Sequence, residues 1–337
     1  MGISFFATRN RDQHRHIRGR VSGTYSMSAI LAMEHLIADV MHLNLAKLTE
    51  LAKGTKPVRL DQFVNYFTFD VVGQLAMGGP IGFLEQGRDV NGIIQSIHDG
   101  FYLMSNMGTV PGQMYWVNNK VARYLVQKFG GARLNSFEVF LGWLNKRVEE
   151  RMHNGLGAGR PDMLQYFING KTPAGEPVSK GQVMIEGVNI LGAGADTTAI
   201  SILAVLGNIL LNADAFHRLR AELDEAHARL DCPGPLPFRE LDKLSYLSAV
   251  ARESTRLHPS ITYQLPRLPP PQGVQIREFH IPPSASCGIS PAAMNRSRPL
   301  FGEDADDWIP ERWLPANDSA QEAKRLRLME QSLTTVS

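Results

Sequence analysis

The stretch that most constrains this chain is an apolar run from about Ser179 to Asn212, with Gly192-Ala193-Gly194-Ala195-Asp196-Thr197-Thr198 at its middle. Ser179 followed by Gln182 is a capping-box pattern. Each of the two can satisfy a backbone N–H that the first turn leaves open, so a helix is predicted to start there. Roughly 33 helical residues at ~1.5 Å each would span about 50 Å. Apolar side chains fall on every face of such a helix, among them Val183, Met184, Val188, Leu191, Ile200, Leu203, Leu206 and Ile209. A helix apolar all round is predicted to run through the middle of a large domain.

The polar residues inside that run are the first candidates for chemistry. A buried carboxylate is costly unless it is paired or hydrated. A mid-helix threonine can bond back to the carbonyl four residues earlier and bend the helix. Glycines just upstream leave room for a ligand to approach the backbone. The pattern predicts a central helix locally opened beside a cavity, with the acid Asp196 and the alcohol Thr197 side by side. The same heptapeptide also reads as a core helix weakened by glycine, with a buried polar kink.

Composition sets outer bounds. The 337 residues are 43% hydrophobic and 20% charged with a formal net charge of +2, which is ordinary globular composition and argues against a general nucleic-acid binder. Cys232 and Cys287 are the only cysteines. They form no disulfide framework, and no CxxC pair or Cys/His cluster suggests zinc, so a reducing compartment is the default. No run of 18 or more apolar residues occurs, so no transmembrane helix is expected.

Elsewhere the chain reads as helices joined by Gly/Pro breaks. Residues 8 to 28 are basic, with Arg9, Arg11, His14, Arg15, His16, Arg18 and Arg20. His14 and Arg18 stand four apart on one helical face, as either an anion clamp or a solvated basic surface. Helices are predicted over Ser28–Leu51 and Asp61–Met77, the latter ending at Gly78-Gly79-Pro80. Residues 90 to 116 read as helix then loop, and we single out no residue there. Further helices fall near Val121–Lys128, Ser136–Met152, Asp162–Ile168 and Ala213–Leu230. Glu253-Ser254-Thr255-Arg256 places an acid and a base three apart on one face, a spacing common by chance, and Leu257-His258-Pro259 stops that helix. Strands are expected at Val274–Ile276, Phe279–Ile281 and Ser286–Ser290.

Three of these motifs together resemble a known family. Ala193-Gly194-Ala195-Asp196-Thr197-Thr198 is similar to the oxygen-activation motif of cytochrome P450s, (A/G)-G-x-(D/E)-T-(T/S). Leu244-Ser245-Tyr246-Leu247 with Glu253-Ser254-Thr255-Arg256 and Leu257-His258-Pro259 resembles the family's K helix, and Pro310-Glu311-Arg312-Trp313 its P-E-R-(F/W) segment. His14 and Arg18 match a W/H-x-x-x-R pattern, and Tyr25-Ser26-Met27-Ser28 fits the fungal secondary-metabolism group, of pisatin demethylase type.

The resemblance implies a mainly α fold, a helical bundle around the long central helix with a small β region. It makes residues 1–337 one incomplete P450 domain, from the C helix to just past the P-E-R-W segment. It implies a monooxygenase that oxidises a small lipophilic substrate, with haem as cofactor and an NADPH-cytochrome P450 reductase as electron donor. Asp196 would relay protons and Thr197 would steady the oxygen being activated. Ala193 and Gly194 would face the haem, and His14, Arg18 and Arg267 would bond its propionates. Glu253, Arg256 and Arg312 would form a structural triad. The family is ordinarily anchored in the endoplasmic reticulum membrane, while the chain as written reads as cytoplasmic.

The resemblance also sets an expectation these residues do not meet. The family's iron ligand is a cysteine thiolate in an F-x-x-G-x-R-x-C-x-G loop beyond the P-E-R-W segment. Neither Cys232 nor Cys287 lies in such a sequence. The chain reads as truncated at both ends, and a non-catalytic relative is the alternative to an active enzyme.

Overall fold

The computed structural model describes the chain except for residues 1–3, 7, 9, 109, 114, 116–118, 130–135, 157–161, 233 and 335–337. Arg9 of the basic run, part of the predicted 90–116 region, most of the glycine-rich loop before Asp162 and Pro233 therefore lie outside the described residues. Two compact units divide the chain, Met1–Asp196 and Thr197–Ser337. The described structure is mainly helical, with one two-stranded sheet.

In the first unit, helices form where the periodicity predicts them and stop where backbone geometry requires. The Asn10 side chain accepts from Asp12 and Gln13 N–H (3.0 and 2.9 Å) and starts the basic helix Arg11–Val21. The predicted 28–51 helix is two, Met27–Ala32 and Glu34–Ala52, broken at Met33. Leu60–Met77 ends at Gly78 with φ of 77°, a left-handed position that suits glycine. Asp70, buried on that helix, accepts from the N–H groups of Gly82, Phe83 and Leu84 at 2.8, 3.2 and 2.8 Å. It thereby fixes the short helix Phe83–Gln86. Asp89 likewise receives Ile94 and Gln95 N–H at the start of Ile93–Gly108. Ser96 ties that helix to Phe137–Asn154, accepting from Phe140 N–H and donating to Ser136 O. The core is aromatic and aliphatic: Phe69, Phe83, Ile93, Ile97, Phe140 and Leu144, joined by Leu191 and Ala195 of the central helix.

The central helix runs from Lys180 to Leu211 over 32 residues. Its capping box is formed: Ser179 N–H donates to Gln182 Oε1 at 2.9 Å and Gln182 N–H to Ser179 Oγ at 3.4 Å. Two expectations are corrected here. The helix is not opened at Gly192–Thr198 but continues through it. Each glycine costs a helix only about 1 kcal/mol, and the burial of neighbouring Leu191 and Ala195 exceeds that. Nor is the helix enclosed on every face, because only 22% of its most apolar 18-residue window is buried. By length and mean hydropathy it is long and apolar enough to cross a membrane, contrary to the reading from unbroken apolar runs. Averaging over a window tolerates Gly207 and Asn208, which interrupt a run; the core helix of a soluble protein passes the same test.

In the second unit, Ala213–Leu230 and Ser245–Leu257 pack through Leu219, Tyr246 and Val250 with Ile209. Glu222 caps the Ser245 helix by accepting from Tyr246 and Leu247 N–H at 2.9 and 2.8 Å. Val274–Ile276 and Phe279–Ile281 pair antiparallel, with Gln275 opposite His280. The expected strand at Ser286–Ser290 is absent among the described residues and reduces to a single bridge between Arg267 and Cys287. Without a neighbour of its own length, that segment has no ladder to join.

Candidate active site

The basic helix lies in the first unit, held to the central helix by a buried ion pair. Arg20 Nη2 meets Glu186 Oε1 at 3.2 Å, and both side chains are almost wholly buried. Asn189 donates to the other Glu186 oxygen at 3.2 Å and accepts from Ser4 Oγ at 3.2 Å. Burial pushes the Glu186 carboxyl up, against the opposing pull of Asn189 and Arg20. The sequence listed Arg20 only among basic residues, and nothing in its spacing marked Glu186 as its partner 166 residues away.

Along the same helix, Arg11, His14, Arg15 and Arg18 line an open groove of about 630 Å³ with Thr8, Gly19 and Ser22. Arg15 is paired with Asp12 at 3.3 Å. No hydrogen bond or ion pair engages the His14 or Arg18 side chain among the described residues. A guanidinium and an imidazole one helical turn apart are suited to donate hydrogen bonds to a carboxylate-bearing ligand. This donor set fits the propionate groups of a haem.

Asp196 is not fully buried, as the sequence suggested, but has a side chain 24% exposed. Its Oδ1 lies 3.0 Å from Nε2 of His98, on the helix Ile93–Gly108. The hydrogen bond to Asp196 holds His98 above its ordinary value of 6.5, more than burial lowers it. Sequence reasoning missed His98: a single histidine on an amphipathic helix carries no spacing signal. Gly194 faces Val72 and Ile190 at ordinary contact distance, so a Cβ there would not clash. Its glycine is not demanded by the protein's own packing. Ala193 is exposed and Thr197 half-buried. The backbone carbonyl of Thr197 accepts from Ser201 Oγ at 3.1 Å.

In the second unit the structure brings Glu253, Arg256 and Arg312 together. Arg256 clamps Glu253 through Nε (2.8 Å) and Nη2 (2.7 Å), and Arg312 Nε adds a third contact at 3.3 Å. Ile309 N–H and Trp313 Nε1 complete the carboxylate's shell at 3.0 and 2.8 Å. Arg256 spends its other donors on Asn295, Ala305 and Asp307 carbonyls. Arg312 bonds the Phe301 carbonyl and, at 2.6 Å, the Asp304 carboxylate. The Arg312 guanidinium holds the Asp304 carboxyl below its usual range. Every charge in this cluster is met, so it fixes the loop from Asn295 to Trp313 and offers no free group for chemistry.

Arg267 is exposed, donating to its neighbours' carbonyls at Leu265 and Pro266. Cys232 is a free thiol near the Gly234 and Pro235 carbonyls, and Cys287 is free at the Arg267 bridge. Among the described residues no group of three or more His, Cys, Asp or Glu is placed to hold a metal ion.

Comparison with known proteins places the chain. Residues 3–328 match the family model for cytochrome P450. A cytochrome P450 monooxygenase of Penicillium brevicompactum, mpaDE', is 32% identical over 313 residues, covering 92% of this chain and 36% of that protein. Pisatin demethylase of Fusarium vanettenii is 28% identical over 331 residues, covering 94% of this chain and 60% of that protein. The chain thus spans between about a third and two thirds of the length of the curated relatives it matches. A cytochrome P450 crystal structure superposes with a TM-score of 0.74 at 18% identity, over 95% of this chain and 66% of that one, which establishes the fold. On the family match and the shared fold, the chain belongs to the cytochrome P450 family.

Proposed function

We propose that residues 1–337 are part of a haem-thiolate monooxygenase of fungal secondary metabolism. It would oxidise a small lipophilic metabolite with O2 and electrons from an NADPH-cytochrome P450 reductase. The carrying observation is the consecutive acid and alcohol, Asp196 and Thr197, on the central helix, with Asp196 tied to His98 at 3.0 Å. Residues 1–337 are read as belonging to one P450 domain, which the family would anchor at the endoplasmic reticulum membrane.

Haem, when bound, supplies the iron chemistry that activates dioxygen. The chain's own residues do the rest. Arg18 would hold a propionate as a charge-assisted donor, and His14 would add a hydrogen bond from the same helix. Ala193 and Gly194 keep the helix surface low where a flat ligand lies against it. Asp196 would relay protons at its carboxylate, and the Thr197 hydroxyl would steady the oxygen being activated by hydrogen bonding. The thiolate donor is assigned to neither Cys232 nor Cys287.

Haem titration of the purified protein, followed by absorbance, tests the reading. One haem per chain is expected, with affinity falling roughly tenfold in Arg18→Ala as one charge-assisted hydrogen bond is lost. A folded protein that takes up no haem would overturn it. Haem uptake with no product from any lipophilic substrate would support a non-catalytic relative instead.

A further inference from the structure

His98 reaches Asp196 from a helix that the proposed chemistry otherwise leaves idle. Its side chain is 40% exposed, while the Asp196 side chain is 24% exposed. The imidazole therefore has one edge on the motif acid and another open to water. The charged groups acting on the ring are all acids: Asp196 on the central helix, Asp99 beside it on its own helix, and Asp89 at that helix's start. Asp89 is engaged by the N–H groups of Ile94 and Gln95. Asp99 accepts the Gln95 side-chain amide at 3.0 Å. Asp196 is the acid hydrogen-bonded to the ring.

We propose that His98 is the positioning residue that aims Asp196 and resupplies it with protons from bulk water, an inference resting on the monooxygenase reading. The imidazolium gives its Nε2 proton to Asp196 Oδ1, leaving a neutral imidazole and a carboxylic acid. Asp196 releases that proton toward the oxygen being reduced and returns to carboxylate. Water then reprotonates the ring. No electrons move in these steps, and each proton given is one proton taken from solvent. Histidine suits the post because its ordinary titration range lies near neutral pH, whereas a lysine or arginine would hold the carboxylate without releasing a proton to it.

Two measurements test the proposal. The first needs no haem: titrate the His98 imidazole by NMR in the 337-residue chain and in Asp196→Asn. The midpoint is expected above 6.5 in the parent chain and to fall toward 6.5 in the variant; an unchanged midpoint overturns the proposal. The second compares the pH profile of product formed per O2 consumed in the haem-loaded protein with that of His98→Gln and His98→Phe. Glutamine keeps an N–H donor and cannot titrate. It is expected to preserve haem uptake and flatten the pH dependence, while phenylalanine lowers coupling severalfold at every pH. A His98→Gln profile superposing on the parent's overturns proton resupply. Absence of turnover in the parent, with the NMR pairing intact, brings down the monooxygenase reading and with it the proton-supply role, while the parent's own midpoint still reports the pair.

Discussion

Replacing Glu253 with glutamine isolates what the buried cluster contributes. The carboxylate and the Arg256 side chain are both 0% exposed, and the carboxylate receives five donors from Arg256, Arg312, Ile309 and Trp313. Glutamine keeps the volume and one acceptor oxygen but leaves two guanidinium groups without their central charge. Removing one partner of a buried pair costs about 3–5 kcal/mol. At roughly 2–4 °C per kcal/mol for a domain of this size, that is a fall of about 12 °C in melting temperature. Trp313 donates directly to Glu253, so its fluorescence reports the loss at the site. Arg220→Ala, which breaks an exposed pair with Asp224 at 2.9 Å, is the control and should shift stability by about 0.5 kcal/mol or less. Glu253→Gln unfolding within about 1 kcal/mol of the parent would refute the reasoning, because it would mean the two arginines do not need the charge.

Other perturbations follow the same logic. Asp70→Ala strands the three N–H groups at Gly82–Leu84 and should cost about 3 kcal/mol or more, read by urea unfolding. Gly78→Ala forces a Cβ into φ of 77° and to 2.7 Å from the Asp162 carboxylate, so about 1–2 kcal/mol of destabilisation is expected in the same assay. The folded pKa of His98 lies above 6.5, so the His98–Asp196 pair stabilises fully below about 6.5 and loses its contribution as pH rises through the folded value. Because the ring is 40% exposed, that contribution is screened to about 1 kcal/mol at most; it appears as a pH-dependent stability difference between the parent and His98→Gln. Glu322, bonded to Arg325, is held down to about 2 and should stay ionised as pH falls from 4.5 until near that value, which a carboxylate NMR titration checks.

Much of the helical frame was legible because helix ends carry local chemistry. Ser179 and Gln182 marked the start of the central helix, and Gly78 the end of Leu60–Met77. Glu253 and Arg256 shared a face by spacing alone, and the P-E-R-W segment supplied Arg312. The missed features depend on tertiary distance. His98 meets Asp196 across 98 residues of sequence, Arg20 meets Glu186 across 166, and Asp70 reaches forward to a turn that has no motif. The predicted opening of the central helix failed for a related reason. Two glycines and a polar pair weaken a helix locally, but capping at Ser179 and burial of Leu191 and Ala195 outweigh that, and the helix continues without a break. The strand predicted at Ser286–Ser290 had the composition of a strand but no partner of matching length.

The central claim is that Asp196 and Thr197 manage the proton during oxygen activation. The most direct measurement is product formed per O2 consumed by Thr197→Ala and Asp196→Asn in the haem-loaded, reductase-supported protein. The account predicts that Thr197→Ala keeps consuming O2 but diverts most of it to peroxide, and that Asp196→Asn slows turnover about a hundredfold. Coupling and rate equal to the parent in both variants would contradict it.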